Sequence, residues 1–92
     1  FKLARTEDQP TIKPYDEARW AALADAALPV EPSLDLLDAL HVRWVQLLEL
    51  MSERDYLRTF AHPESAVWRL DQCLSEYAWH GQHHVAHITG AT

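Results

Sequence analysis

From Leu70 to Ile88 the residues at steps of four and three are Leu70, Leu74, Tyr77, Gly81, His84 and Ile88. That spacing draws one stripe along an α-helix roughly 28 Å long. A helix with such a stripe is held mainly by whatever covers it, so the chain is expected to be a helical assembly. Gly90 supplies the stop. A second stretch, Leu34 to Met51, repeats the pattern. Leu34, Leu37, His41, Trp44 and Leu48 form one row, and Leu37, Leu40, Trp44, Leu47 and Met51 form its neighbour. Asp35, Asp38, Arg43, Gln46 and Glu49 fall away from both rows, which marks an amphipathic helix. Ser33 stands where its N-cap belongs, with Asp35 in the first turn.

The rest is shorter. Phe1 to Glu7 reads as the last turns of a helix, and Asp8 to Pro14, with Pro10 and Pro14, as an irregular connector. Tyr15 to Ala27 is alanine-rich and predicts one short helix closed off by Pro29 and Pro32. Ser52 to Arg58 adds a further short helix, and Phe60 to Arg69 reads as loop or a brief extended stretch. No two strands pair in this pattern, so the expected class is all-α, within a single domain over residues 1–92.

Composition narrows the function. Eight Lys and Arg against fourteen Asp and Glu leave a formal charge of −6, the opposite of a phosphate-tracking surface, so nucleic acid is an unexpected partner. Two glycines are too few for a Gly-rich phosphate loop, and one cysteine forms no internal disulfide. The uncharged runs fall short of the roughly 18–20 apolar residues of a membrane span, and no charged-then-apolar leader opens the chain. A soluble protein of the reduced cytoplasm is the expectation. The first residue is Phe1, which suggests processing or a piece of a longer protein.

Four of the six histidines, His80, His83, His84 and His87, lie in the last helical stretch. At about 100° per residue, setting His80 at zero puts His84 near +40°, His87 near −20° and His83 near −60°. Glu76 falls inside the same wedge and Tyr77 flanks it. Imidazoles at i and i+4 can converge on one ion, and two such pairs exist, His80 with His84 and His83 with His87. A lone histidine on an apolar face is ordinarily a hydrogen-bonded core residue, but four together would leave many donors and acceptors to satisfy. A catalytic metal takes three protein ligands, and His41 is the in-chain candidate for the third; its bland alternative is a core histidine. Glu76 reads either as a carboxylate orienting His80 or His83 from behind or as a solvated bundle-edge residue, and the flanking Tyr77 is a candidate for the same orienting role. His62 precedes Pro63 in a loop, where a structural role or a substrate contact is favoured over ligation. Cys73 has no cationic neighbour in the sequence to activate it and reads as a small buried hydrophobe.

These residues also carry a resemblance. Tyr77-Ala-Trp-His80-Gly-Gln-His83-His84-Val-Ala-His87-Ile88 resembles the terminal signature of the DinB/YfiT-like superfamily of metal-binding four-helix bundles. Lys13-Pro14-Tyr15-Asp16-Glu17 with Trp20, Leu40-His41-Val-Arg43-Trp44, and Phe60-Ala-His62-Pro63-Glu64 match in the same order. The resemblance is strongest to the YfiT branch and implies a metal-dependent hydrolase, related to bacillithiol S-transferases. It implies a divalent ion, nickel or zinc, held by three histidines. His80 and His84 match two of them; the third would precede Phe1. By this resemblance the chain corresponds to the C-terminal helices of the fold, and His41 lines the site without binding metal. Arg69 stands where the family often has Ser or Thr, so the last helix is expected to lack a good N-cap.

Two principal functions compete. In the first, a metal held by His80 and His84 activates water or a thiol, and the partner is a small-molecule substrate, with a low-molecular-weight thiol among the candidates. In the second, the chain is a non-catalytic metal-binding module that homodimerises, since two long amphipathic helices do not cover their apolar faces alone. A pH-sensing histidine cluster is a minor third reading.

Overall fold

The computed structural model describes residues 1–90. Its elements in chain order are α1 (Lys2–Thr6), α2 (Glu17–Ala21), a 3₁₀ turn (Ala24–Ala27), α3 (Glu31–Glu49), α4 (Glu53–Tyr56), β1 (Thr59–Ala61), β2 (Val67–Arg69) and α5 (Leu70–Thr89). They fall into two compact units, one made of residues 1–13 with the chain from Ser52 onward, the other of Pro14–Met51. Most of the described residues are helical. No helix among them is long and apolar enough to cross a membrane.

The first unit is built around a small antiparallel hairpin, which corrects the expectation that no two strands pair. Thr59 pairs with Arg69, Phe60 with Trp68, and Ala61 with Val67. Strands of three residues are too short to show the alternation that reveals a strand in sequence. Their connection is set by local polar bonds. The His62 N–H donates to the Ala66 carbonyl at 2.9 Å, the Glu64 N–H to His62 Nδ1 at 3.2 Å, and Trp68 Nε1–H to Ser65 Oγ at 3.1 Å. His62 is thereby a turn residue. The connector after α1 lies along the other edge of β1: the Ala61 N–H donates to the Pro10 carbonyl at 2.8 Å and the Ile12 N–H to the Ala61 carbonyl at 3.0 Å. Pro10 has no N–H to offer, so it serves here as an acceptor on an edge.

Ala4 of α1 and Leu70 at the start of α5 are buried, Leu70 completely. The Leu70 N–H donates to the Arg58 carbonyl at 2.9 Å, which fixes the base of α5 beside β1. α4 is one turn long and exists because Ser52 caps it. The Asp55 N–H donates to Ser52 Oγ at 3.2 Å and the Ser52 N–H to Asp55 Oδ2 at 3.0 Å, a reciprocal capping box.

In the second unit the single helix expected over Tyr15–Ala27 is divided into α2 and the 3₁₀ turn. Asp16 caps α2 by accepting from the Arg19 N–H at 3.1 Å. Trp20 and Leu23 are largely exposed, so little burial carries the helix through, and a helix this short with little packing is marginal. α3 begins at Glu31, ahead of the expected Ser33 cap, because Pro32 sits in its first turn, where a missing N–H costs nothing. Leu34, Leu37 and Leu40 are 55%, 44% and 52% exposed, while Trp44, Leu47 and Leu48 are half-buried and Met51 is buried.

Candidate metal centre

α5 carries the site. It runs unbroken from Leu70 to Thr89 and ends at Gly90, whose φ of 75° is the left-handed conformation that stops helices. Arg69 is its N-cap and, as expected, offers no side-chain acceptor there. Two neighbours compensate. Gln72 Oε1 accepts from the Arg69 N–H at 3.1 Å, and Asp71 Oδ1 accepts both from the Gln72 N–H at 2.8 Å and from Arg69 Nε at 3.0 Å. The hydrogen bond from Arg69 holds the Asp71 carboxyl below the usual range, and the negative charge so kept suits the positive end of the helix.

His80 and His84 occupy successive turns and bring their Nε2 atoms to 2.9 Å, with ring centroids 4.4 Å apart and planes at 67°. Two nitrogens each about 2.05 Å from one ion, subtending about 90° to 110°, lie roughly 2.9–3.4 Å apart. The pair therefore fits two cis positions of a metal centre. Without an ion, the same approach is a hydrogen bond between the two imidazoles, its direction set by their tautomers. His83 and His87 form the second pair, centroids 4.2 Å apart, and the Trp79 indole stacks on His83 at 4.7 Å and 13°.

The remaining candidates are placed as follows. His41 is half-buried on α3, in the second unit, with Trp44 as a parallel ring 6.3 Å away. Glu76 is exposed on α5, lining an open groove with Ala66, Val67, Trp68, Gln72 and Ser75. Its carboxylate makes no hydrogen bond to an imidazole among the described residues. Tyr77 is 41% exposed. Cys73 is half-buried, and burial pushes its thiol pKa up, which fits a packing residue rather than a nucleophile. Among the described residues no group of three His, Cys, Asp or Glu side chains converges to hold a metal. Sequence reasoning missed the Trp79–His83 stack, although i, i+4 spacing of an indole and an imidazole was there to suggest it.

The family model for the DinB superfamily matches residues 1–88, nearly the whole chain. A Bacillus mycoides protein named "Putative metal-dependent hydrolase" is 56% identical over 89 residues, covering 97% of this chain and 51% of its own length. An Oceanobacillus iheyensis protein of the same description is also 56% identical, with 97% and 52% covered. Among solved structures, YfiT from Bacillus subtilis superposes with a TM-score of 0.93 at 41% identity, over 98% of this chain and 53% of that one; it is reported as "a probable metal-dependent hydrolase with an unusual four-helix bundle topology". The chain belongs to the DinB superfamily. It spans about half the length of the curated relatives it matches.

Proposed function

We propose that the chain supplies two ligands, His80 and His84, to the divalent-metal centre of a hydrolase or thiol S-transferase, with nickel or zinc as the ion. The observation that carries this reading is the 2.9 Å approach of the two Nε2 atoms, which matches the bite of a pair of cis imidazoles. The names of the relatives support a metal-dependent hydrolase. Imidazole ligands suit nickel, copper and zinc better than calcium or magnesium. When bound, such an ion supplies Lewis acidity, which brings the pKa of a water or a substrate thiol toward neutrality.

The chain's own part is positional. Helix α5 presents both imidazoles one turn apart, and the capped, buried base at Leu70 keeps their register fixed. The third ligand is supplied from outside the half of its relatives' length that this chain spans. The test is metal content per chain, measured without a purification tag on the native sequence and on His84→Ala. Stoichiometric metal that disappears on substitution supports the assignment; equal metal in both refutes it. In a full-length relative, turnover without bound metal would refute the mechanism.

A second reading, a non-catalytic metal-binding module completed by homodimerisation, is favoured by the exposed Leu34, Leu37 and Leu40 on α3. Sedimentation equilibrium tests it: a dimer at micromolar concentration supports it, and a folded monomer overturns it.

A further inference from the structure

Beyond the His80–His84 pair, α5 repeats the same ring spacing once more. His83 and His87 are four residues apart, and their ring centroids are closer still, 4.2 Å against 4.4 Å, with planes at 60° against 67°. Imidazoles bound cis to a common ion, each nitrogen about 2.05 Å from it, have centroids roughly 4.5 Å apart. Both i, i+4 pairs match that separation, whereas the pairings between them, His83 with His84 and His84 with His87, stand at 6.0 Å and 6.3 Å.

We propose that His83 and His87 form a second metal site of their own on the face of α5, taking a transition-metal cation of the Cu(II), Ni(II) or Zn(II) type. The donors are two imidazole nitrogens with no carboxylate beside them on this part of the helix, a set that suits imidazole-seeking metals and offers little to Ca(II) or Mg(II). His83 is half-buried under Trp79, whose indole lies nearly parallel to it at 4.7 Å. That stack fixes one ring before the ion arrives, so less side-chain freedom is lost on binding. His87 is exposed, which leaves the remaining coordination positions to water. The site stands independently of whether His80 and His84 hold an ion.

Copper(II) alone is the probe, added to the 92-residue chain and followed by calorimetric stoichiometry and by electron paramagnetic resonance. A variant lacking all four histidines (H80Q/H83Q/H84Q/H87Q) gives the background, and circular dichroism confirms equal helix content, glutamine being a good helix former. H80Q/H84Q is expected to bind one Cu(II) above that background, with nitrogen hyperfine structure from two imidazoles. H83Q/H84Q keeps as many histidines but leaves His80 and His87 about 10 Å apart along the axis, and is expected to bind none. Copper should also quench Trp79 fluorescence in H80Q/H84Q, a loss absent from H80Q/H84Q/W79F. H80Q/H84Q binding no more copper than the background variant would overturn the site, as would equal binding by H83Q/H84Q.

Discussion

Arg58 donates from Nε to the Ala4 carbonyl oxygen at 2.6 Å and from Nη2 to the Glu7 carbonyl oxygen at 3.1 Å. One guanidinium thus satisfies carbonyls that the end of α1 leaves without helical partners. The Arg58 carbonyl accepts from the Leu70 N–H, so the same residue ties α1 to the base of α5. Arg58→Ala removes both charge-assisted bonds and should lower stability by about 2–3 kcal/mol. Arg58→Lys should recover only part of the loss, because an ammonium does not reproduce the planar fork. Urea denaturation checks both; an unchanged midpoint for Arg58→Ala would remove Arg58 from this role.

Asp55 contributes to the acid side of the stability curve. Its carboxyl lies below the ordinary range, first because the Ser52 N–H donates to it, with the Ser52 hydroxyl and the Arg5 and Arg58 charges adding to the effect. Arg5 Nη2 is 3.2 Å from Asp55 Oδ2. A folded-state pKa below the unfolded one means the stabilisation is fully present above about pH 3.9 and is lost as pH falls through the folded value. Asp55→Asn should therefore flatten the acid limb, and Ser52→Ala should cost about 1 kcal/mol at neutral pH through the lost cap. Thermal melts between pH 2 and pH 7 test the pair: an Asp55→Asn protein with the native pH profile contradicts the assignment.

Cys73 should behave as an unreactive thiol. Burial raises its pKa, and the nearby Glu76 charge acts in the same direction, so little thiolate exists at neutral pH. Alkylation by iodoacetamide at pH 7.5 is expected to be slower than for a free cysteine in solution, and Cys73→Ala should keep the metal bound by the native chain. Rapid alkylation, or metal lost on substitution, would make Cys73 part of the site.

The long elements were legible because their signals are redundant. For α5, the apolar stripe, four histidines in register and a closing Gly90 all point the same way. At the Ser52 helix the capping box itself is written in the sequence. The hairpin was hidden because Thr59–Ala61 and Val67–Arg69 owe their pairing to partners elsewhere in the chain and to a turn closed by the side chains of His62 and Ser65. Pro32 misled for a different reason: a proline reads as a stop, yet its fixed φ equally suits a first helical turn. At the site, spacing alone identified both histidine pairs. It did not show that Glu76 faces a groove instead of a ring, because helical angle gives a direction and not a rotamer.

The two glycines, one within α5 and one at its C-cap, offer a final contrast, since they have the same chemistry in opposite backbone settings. Gly81 lies in mid-helix between the two members of the His80–His84 pair, and a Cβ built there meets nothing within 4 Å. Alanine fits that space without strain and lowers the entropy of the unfolded chain, so Gly81→Ala should stabilise by about 1 kcal/mol. Gly90 also has open space around it, but its φ of 75° penalises any Cβ, so Gly90→Ala should destabilise by roughly 1–2 kcal/mol and fray the last turn beyond His87. Chemical denaturation gives both signs directly. If Gly81→Ala stabilises and leaves copper and nickel binding intact, the glycine is dispensable to the rigid presentation of His80 and His84. If it stabilises but weakens binding, the imidazoles need the local give that a missing side chain allows, and the site is formed by induced fit rather than held ready.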